Sequence, residues 1–247
     1  MILAAGLGTR LRPLTDNLPK ALVEVDGRTL LEITLARLRN FGAGEVIINV
    51  HHHAEMIAEY LKANDNFGMR IELSREEELL DTGGGLMKAA WFFRSAKGAS
   101  ESEAPFILHN VDVLSTIDLG RMVEFHRESR ALATLAVQER KTSRYLLFDE
   151  QLRLCGRRSS AQGSELIRNA TPAHALAFSG IHVISPRLLT GITEDKAFSI
   201  ISSYLRLAAQ GEKIGAFRAD EYYWRDLGKP ESLAQAAEDL KQGVIEQ

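Results

Sequence analysis

Short apolar runs of strand type alternate along this chain with stretches whose apolar residues recur every three or four positions. That alternation restricts the fold to a largely parallel sheet covered by helices. Thr29-Leu30-Leu31-Glu32 reads as a capping box that starts a helix with Leu31, Leu35 and Leu38 on one face, ending near Gly42 and Gly44. Glu45 to Val50 reads as a strand, Ala54 to Lys62 as a helix, Arg70 to Leu73 as a strand, and Leu86 to Phe93 as a helix behind the Gly83-Gly84-Gly85 turn. Phe106 to His109 is a short buried strand, Leu119 to Arg130 a helix and Ala131 to Val137 a central strand. From Tyr145 to Ile184 the pattern becomes β-rich and irregular. Ile200 to Gln210 is then helical, Ile214 to Phe217 a strand, and Pro230 to Lys241 a closing helix with proline in its first turn. Gly156 to Pro172 reads as a loop or hairpin and Lys97 to Glu103 as a surface loop. With no repeat, low-complexity tract or linker, one domain over residues 1–247 is expected.

At 247 residues, 45% hydrophobic and 26% charged, the chain can bury a sizeable core. A net charge of -3 argues against nucleic-acid binding through bulk electrostatics. The lone Cys155 excludes an internal disulfide and fits a reducing compartment. No apolar run approaches the ~18 residues of a membrane span and no signal peptide precedes the first strand, so no membrane partner and a cytoplasmic location are expected. Only Met1 to Ala5 precede the first glycine, which makes the first strand short and leads us to expect a few missing native residues at the start.

The run Leu3-Ala4-Ala5-Gly6-Leu7-Gly8-Thr9-Arg10-Leu11-Arg12-Pro13-Leu14-Thr15, followed by Pro19-Lys20, sets a glycine-rich turn directly behind that strand. Gly6 and Gly8 let the backbone approach a ligand so that consecutive N–H groups converge on anionic oxygens, while Arg10 and Lys20 neutralise charge. A kinase-type P-loop needs its lysine immediately after the second glycine, and Lys20 stands well beyond that frame. A dinucleotide fingerprint needs a third glycine opening a helix, where Leu11-Arg12-Pro13 stands instead. Asp112 follows the apolar run Phe106-Ile107-Leu108, and Asp226 follows Tyr222-Tyr223-Trp224, so both read as carboxylates at strand ends. Two such groups suit Mg2+, which takes one or two carboxylates with phosphate oxygens and water; the bland alternative is that each caps a turn.

The glycine run, the Asn110-Val111-Asp112 corner and Trp224-Arg225-Asp226-Leu227-Gly228 together resemble the sugar-1-phosphate nucleotidylyltransferases, from Ile2 to about Leu233. The resemblance implies a Rossmann-like α/β fold, a mixed, mostly parallel sheet flanked by helices of the nucleotide-diphospho-sugar transferase type. It implies that Arg10 contacts the triphosphate, that Lys20 bridges the attacking and α-phosphates, and that Asp112 and Asp226 hold Mg2+. Arg12 belongs to the same pattern and equally suits loop structure. The nucleotide is expected over Ala4, Ala5, Gly6, Gly8, Thr9 and Arg10, with a second wall from Glu76 to Gly85 in which Glu76, Gly83 and Gly84 face it. Each acidic side chain of that wall can equally be a solvated turn residue. Asn110, Glu165 and Gly180 are the sugar-binding candidates, Asn110 suiting a structural hydrogen bond as well. This chain departs from the family pattern at Val111, where relatives carry glycine, and lacks the Glu-Lys-Pro element usual near the middle. His51-His52-His53 is expected to be structural or solvated, since three consecutive residues after a strand cannot all face one ion.

A nucleoside triphosphate and a sugar 1-phosphate are thus the expected partners, for an enzyme acting as a monomer or small homo-oligomer. The length leaves no room for a C-terminal β-helix domain, and the acidic wall with Asp81-Thr82-Gly83-Gly84-Gly85 is most like the N-acetylmuramate-1-phosphate uridylyltransferases of cell-wall recycling. Mannose- or heptose-1-phosphate guanylyltransferase and phosphocholine cytidylyltransferase-like activity are the enzymatic alternatives. A non-catalytic nucleotide-sensing subunit is the alternative of another class, and it has no need to keep Arg10, Lys20, Asp112 and Asp226 together.

Overall fold

The computed structural model of the chain describes residues 1–94, 104–161, 163–168 and 173–244, so the expected loop Lys97 to Glu103 lies outside the described residues. The chain divides into two compact units, one made of Met1–Asp81, His109–Ile117 and Tyr222–Gln247, the other of Thr82–Leu108 and Asp118–Glu221.

The first unit is built on parallel ladders. Ile2–Leu3 pairs on one side with Glu45–Val50, at Ile2↔Ile48 and Leu3↔Asn49, and on the other with the end of Phe106–Asn110, at Ile2↔His109 and Leu3↔Asn110. Arg70–Arg75 continues the sheet in parallel register from Glu45↔Arg70 to Val50↔Arg75. Val46, Ile47, Ile48 and Val50 are all buried, as the near-continuous apolar run of a strand covered on both faces requires. The helix Leu30–Asn40 begins as its sequence predicts: the Thr29 hydroxyl accepts the Glu32 N–H, and Leu31, Leu35 and Leu38 are buried. Helices Ala54–Ala63 and Pro230–Lys241 complete the unit, the second with proline in its first turn.

The second unit carries a mixed sheet. Ala133–Gln138 is central, antiparallel to His174–Ile184 and parallel to Ile214–Arg218. Arg144–Phe148 is antiparallel both to His174–Ile184 and to Leu154–Ser159, and the latter pairs with Gly163–Leu166, so the hairpin reading of the Gly156 region holds for its described part. Helices Leu119–Ser129 and Ile200–Ala209 are capped by Asp118 and Ser199.

One helix starts earlier than its sequence predicts. It spans Asp81–Lys88, so the three glycines lie inside it rather than in a turn before it, and a second helix, Ala90–Arg94, follows. The cause is tertiary. Gly83 N–H donates to Phe198 O at 2.9 Å, the Thr82 hydroxyl accepts Ile200 N–H at 3.0 Å, and a Cβ on Gly83 would stand 2.1 Å from the Phe198 ring.

Candidate active site

Past Leu3 the chain leaves its ladders and turns. Gly8 adopts φ 65° and opens the short 3-10 turn Thr9–Leu11. A side chain there is excluded twice, by the left-handed backbone and by Thr15 Cγ2 at 2.9 Å from the position of a Cβ. The Thr15 hydroxyl donates to Gly8 O at 2.8 Å and Leu11 is fully buried, which anchors the loop at both ends. The backbone N–H groups of Gly6, Leu7, Gly8 and Thr9 make no hydrogen bond among the described residues. Consecutive free amides in such a turn are a ready anion cradle. Arg12 does not aim into it, pairing instead with Asp16 at 3.3 Å.

The four charged candidates meet as two ion pairs. Lys20 opens a second 3-10 turn behind Pro19 and pairs directly with Asp112, their side chains 10% and 17% exposed. Arg10 approaches Asp226 at 3.9 Å, both about half exposed. What joins the pairs is a small antiparallel ladder, Val113–Ser115 with Trp224–Asp226, in which Asp226 stands opposite Val113 and Leu227 N–H donates to Asp112 O at 2.8 Å. Both aspartates thereby come to the same end of one ladder. Gly228 is part of the fit: its N–H donates to Asp226 Oδ1 at 2.7 Å, and a Cβ there would lie 2.4 Å from the Arg10 guanidinium.

Each carboxylate keeps one oxygen, Oδ1 of Asp112 and Oδ2 of Asp226, without a hydrogen bond among the described residues. Two hard oxygen donors of this kind fit Mg2+, with phosphate oxygens and waters left to complete an octahedron. Val111 also fits its corner without glycine: it is buried, its N–H donates to Leu3 O at 3.1 Å, and it is not among the residues of positive φ.

In the stretch expected to face the base the structure separates the three glutamates. Glu76 is 5% exposed, with Oε1 accepting from Asn49 Nδ2 at 2.7 Å and Oε2 accepting Leu80 N–H at 3.0 Å. Glu77 and Glu78 are exposed. Asn49 Oδ1 accepts the Ala4 N–H at 2.7 Å, so the first residue beyond the ladder is held by a side chain. Sequence reasoning misses Asn49. Its only signal there is an amide inside the apolar run Val46-Ile47-Ile48-Asn49-Val50, a polar residue where burial demands a partner. Gly83 and Gly84 are buried in the second unit, where Phe198 supplies an internal reason for glycine at the first of them.

The sugar candidates are not alike. Asn110 ends the strand beside Leu3, in the unit that holds the two ion pairs. Glu165 and Gly180 belong to the other unit. Glu165 sits on the edge of a hairpin in an exposed cross-strand pair with Arg157 at 2.7 Å, and Gly180, at φ 74°, marks the register shift of His174–Ile184. In the histidine run His53 stands at the N-cap position of the helix Ala54–Ala63, His51 Nδ1 contacts Glu76 O at 2.9 Å, and His52 is exposed.

Residues 1–149 match the family model described as nucleotidyl transferase. The chain is 32% identical over 244 residues to N-acetylmuramate alpha-1-phosphate uridylyltransferase of Caulobacter vibrioides, covering 96% of this chain and 94% of that one. It is 28% identical over 249 residues to mannose-1-phosphate guanylyltransferase of Mycobacterium tuberculosis, covering 99% of this chain but 65% of that one. Among solved structures, HddC from Yersinia pseudotuberculosis superimposes with a TM-score of 0.75 at 23% identity, over 97% of each chain, a likeness of fold.

Proposed function

This chain belongs to the nucleotidyl transferase family, and we propose that it joins the uridylyl group of UTP to N-acetylmuramate 1-phosphate, releasing pyrophosphate. The observation behind the reaction class is the meeting of two cation–carboxylate pairs at one end of a ladder, in the unit that also holds the free amides of Gly6 to Thr9. A sugar phosphate is already a nucleophile and pyrophosphate a good leaving group, so orientation and charge neutralisation suffice and no general base is required. In this reading the loop amides and Arg10 hold the triphosphate and steady the departing pyrophosphate. Lys20, aimed by Asp112, draws the attacking and α-phosphates together. Asp112 and Asp226 would hold Mg2+, which when bound supplies positive charge for the phosphate oxygens.

The choice of substrates rests on the match that runs almost end to end in both chains. Glu77 and Glu78 also favour a base with an N–H to give, since carboxylates only accept, and uracil offers N3–H. Guanine offers two donors on one edge, which keeps guanylyl transfer to mannose or heptose 1-phosphate as the second reading. Neither unit is a continuous stretch of chain, which suits one nucleotidyl transferase domain. No helix among the described residues is long and apolar enough to cross a membrane, and the one cysteine is free and buried. Action in the cytoplasm, as a monomer or small homo-oligomer, is part of the same proposal.

The test is a matrix of UTP, GTP, CTP and TTP against N-acetylmuramate, glucose and mannose 1-phosphates, read by pyrophosphate release with and without Mg2+. Highest kcat/KM is expected for UTP with N-acetylmuramate 1-phosphate. A preference for GTP above about tenfold, or ~1.4 kcal/mol, moves the assignment to the guanylyltransferases.

A further inference from the structure

We propose that Asn49 and Glu76 form a buried relay that positions the nucleotide-binding backbone, Glu76 acting through Asn49 rather than by touching the nucleotide. The inference rests on the reading of Ala4 to Gly6 as a wall of the nucleotide site. Its observation is a chain of hydrogen bonds that converges on one carboxylate: Ala4 N–H to Asn49 Oδ1 at 2.7 Å, Asn49 Nδ2 to Glu76 Oε1 at 2.7 Å, and Leu80 N–H to Glu76 Oε2 at 3.0 Å. One carboxylate thereby ties together the strand exit at Ala4 and the loop that contains Glu77 and Glu78.

Polarity at each link is forced. Ala4 N–H can only donate, so the oxygen of Asn49 must face it and the amide nitrogen must face Glu76. The carboxylate in turn receives an N–H at each of its oxygens. Leu3 stands opposite Asn49 in the parallel ladder, so Ala4 is the first residue at which a side chain replaces a backbone partner. That substitution lets the chain leave the sheet toward Gly6 without orphaning an N–H. Glu76 has no cationic partner within 4.0 Å among the described residues and is 5% exposed, an arrangement that stability alone does not favour. Its return is geometric: it fixes two backbone segments relative to each other before any ligand arrives.

The polarity suggests a swap. In Glu76→Gln one of the two acceptors becomes a donor, and in Asn49→Asp two carboxylate oxygens face each other; each single change breaks a link. The two changes made together restore every link. The carboxylate introduced by Asn49→Asp accepts from Ala4 N–H and from the amide introduced by Glu76→Gln, and the oxygen of that amide accepts Leu80 N–H. Triphosphate affinity of the full chain is measured by calorimetry with UTP, GTP, CTP and TTP separately, and KM and kcat with whichever the wild type uses best. Each single variant is expected to raise the dissociation constant and KM of that triphosphate about tenfold with a smaller effect on kcat, and the double variant to return within about threefold of wild type. Thermal midpoints are followed in parallel. Additive losses in the double variant, or single variants that lower only the midpoint and leave KM unchanged, overturn the relay. A wild type that prefers GTP overturns the uridylyl reading and leaves this test intact, whereas a wild type that binds none of the four overturns both.

Discussion

The four charged side chains look equivalent in the sequence and differ in their surroundings. Because each aspartate keeps one oxygen without a hydrogen bond among the described residues, as the proposed Mg2+ site requires, Asp112→Asn and Asp226→Asn are expected to lower turnover a hundredfold or more, ~3 kcal/mol of barrier, with the fold retained by circular dichroism. Turnover unchanged in chelator, or in the Asp226→Asn protein, removes the two-carboxylate site. The cations should separate. Arg10 is about half exposed and 3.9 Å from Asp226, so its loss should leave stability within ~1 kcal/mol of wild type while weakening triphosphate binding. Lys20 is nearly buried against Asp112, so Lys20→Ala should cost stability as well as turnover, approaching the ~3 kcal/mol seen when fully buried pairs are broken. Urea midpoints beside steady-state kinetics distinguish the two, and equal small effects at both positions reduce them to surface charge.

Elements whose signals are local were legible, and those assembled from distant pieces were not. Thr29 and Glu32 lie within one turn of each other, so the start of Leu30–Asn40 could be read directly, and Glu45–Val50 is bounded as its apolar run suggests. The ladder of Val113–Ser115 with Trp224–Asp226 joins two three-residue strands from distant parts of the chain; neither is long enough to show a period. Glu76 reads as an acid that faces the nucleotide or is solvated like its two neighbours, because its partner Asn49 lies far off in the sequence, on the strand Glu45–Val50. Gly83 is the clearest case: three glycines read as a turn, yet Phe198 packs where a Cβ would go. Two rules then oppose each other. Alanine is better than glycine in a helix interior by ~1 kcal/mol, but a methyl forced 2.1 Å from a ring that is itself tied by backbone to Gly83 costs ~1–3 kcal/mol or more. Gly83→Ala is therefore expected to lower the urea midpoint, and a raised midpoint would mean that the Phe198 ring moves aside freely.

Acid sensitivity belongs to the whole molecule, and two buried histidines contribute to its direction. His126 is pushed down to about 4 by burial, with Arg187 and Arg127 adding to the effect, and His182 is pushed down to about 3 by burial. Hydrogen bonding agrees with a neutral ring at His126: the Ser185 hydroxyl donates to Ala131 O and so accepts from Nε2–H, leaving Nδ1 to accept from Thr134. Above pH ~6.5 these rings are neutral in folded and unfolded chains alike and contribute no pH dependence. Below it the unfolded chain binds protons that the folded chain refuses, so stability falls as pH falls, by up to ~1.4 kcal/mol per pH unit for each ring. Glu194 acts in a lower window: the hydrogen bond from Arg206 holds it at about 2, and its contribution is lost as pH falls from the ordinary value of 4.5 to about 2. Between pH 6.5 and 5 the histidines act together with the Met1 amine, which burial pushes down to about 5, and the two rings alone remove at most ~4 kcal/mol, a large share of the 5–15 kcal/mol typical of a folded domain. Urea midpoints at pH 7, 6 and 5 should fall steadily in the wild type, whereas a His126→Gln, His182→Gln double variant, less stable at pH 7, should change less and keep the share that comes from the buried Met1 amine. Parallel pH slopes for the two proteins would place the acid sensitivity elsewhere.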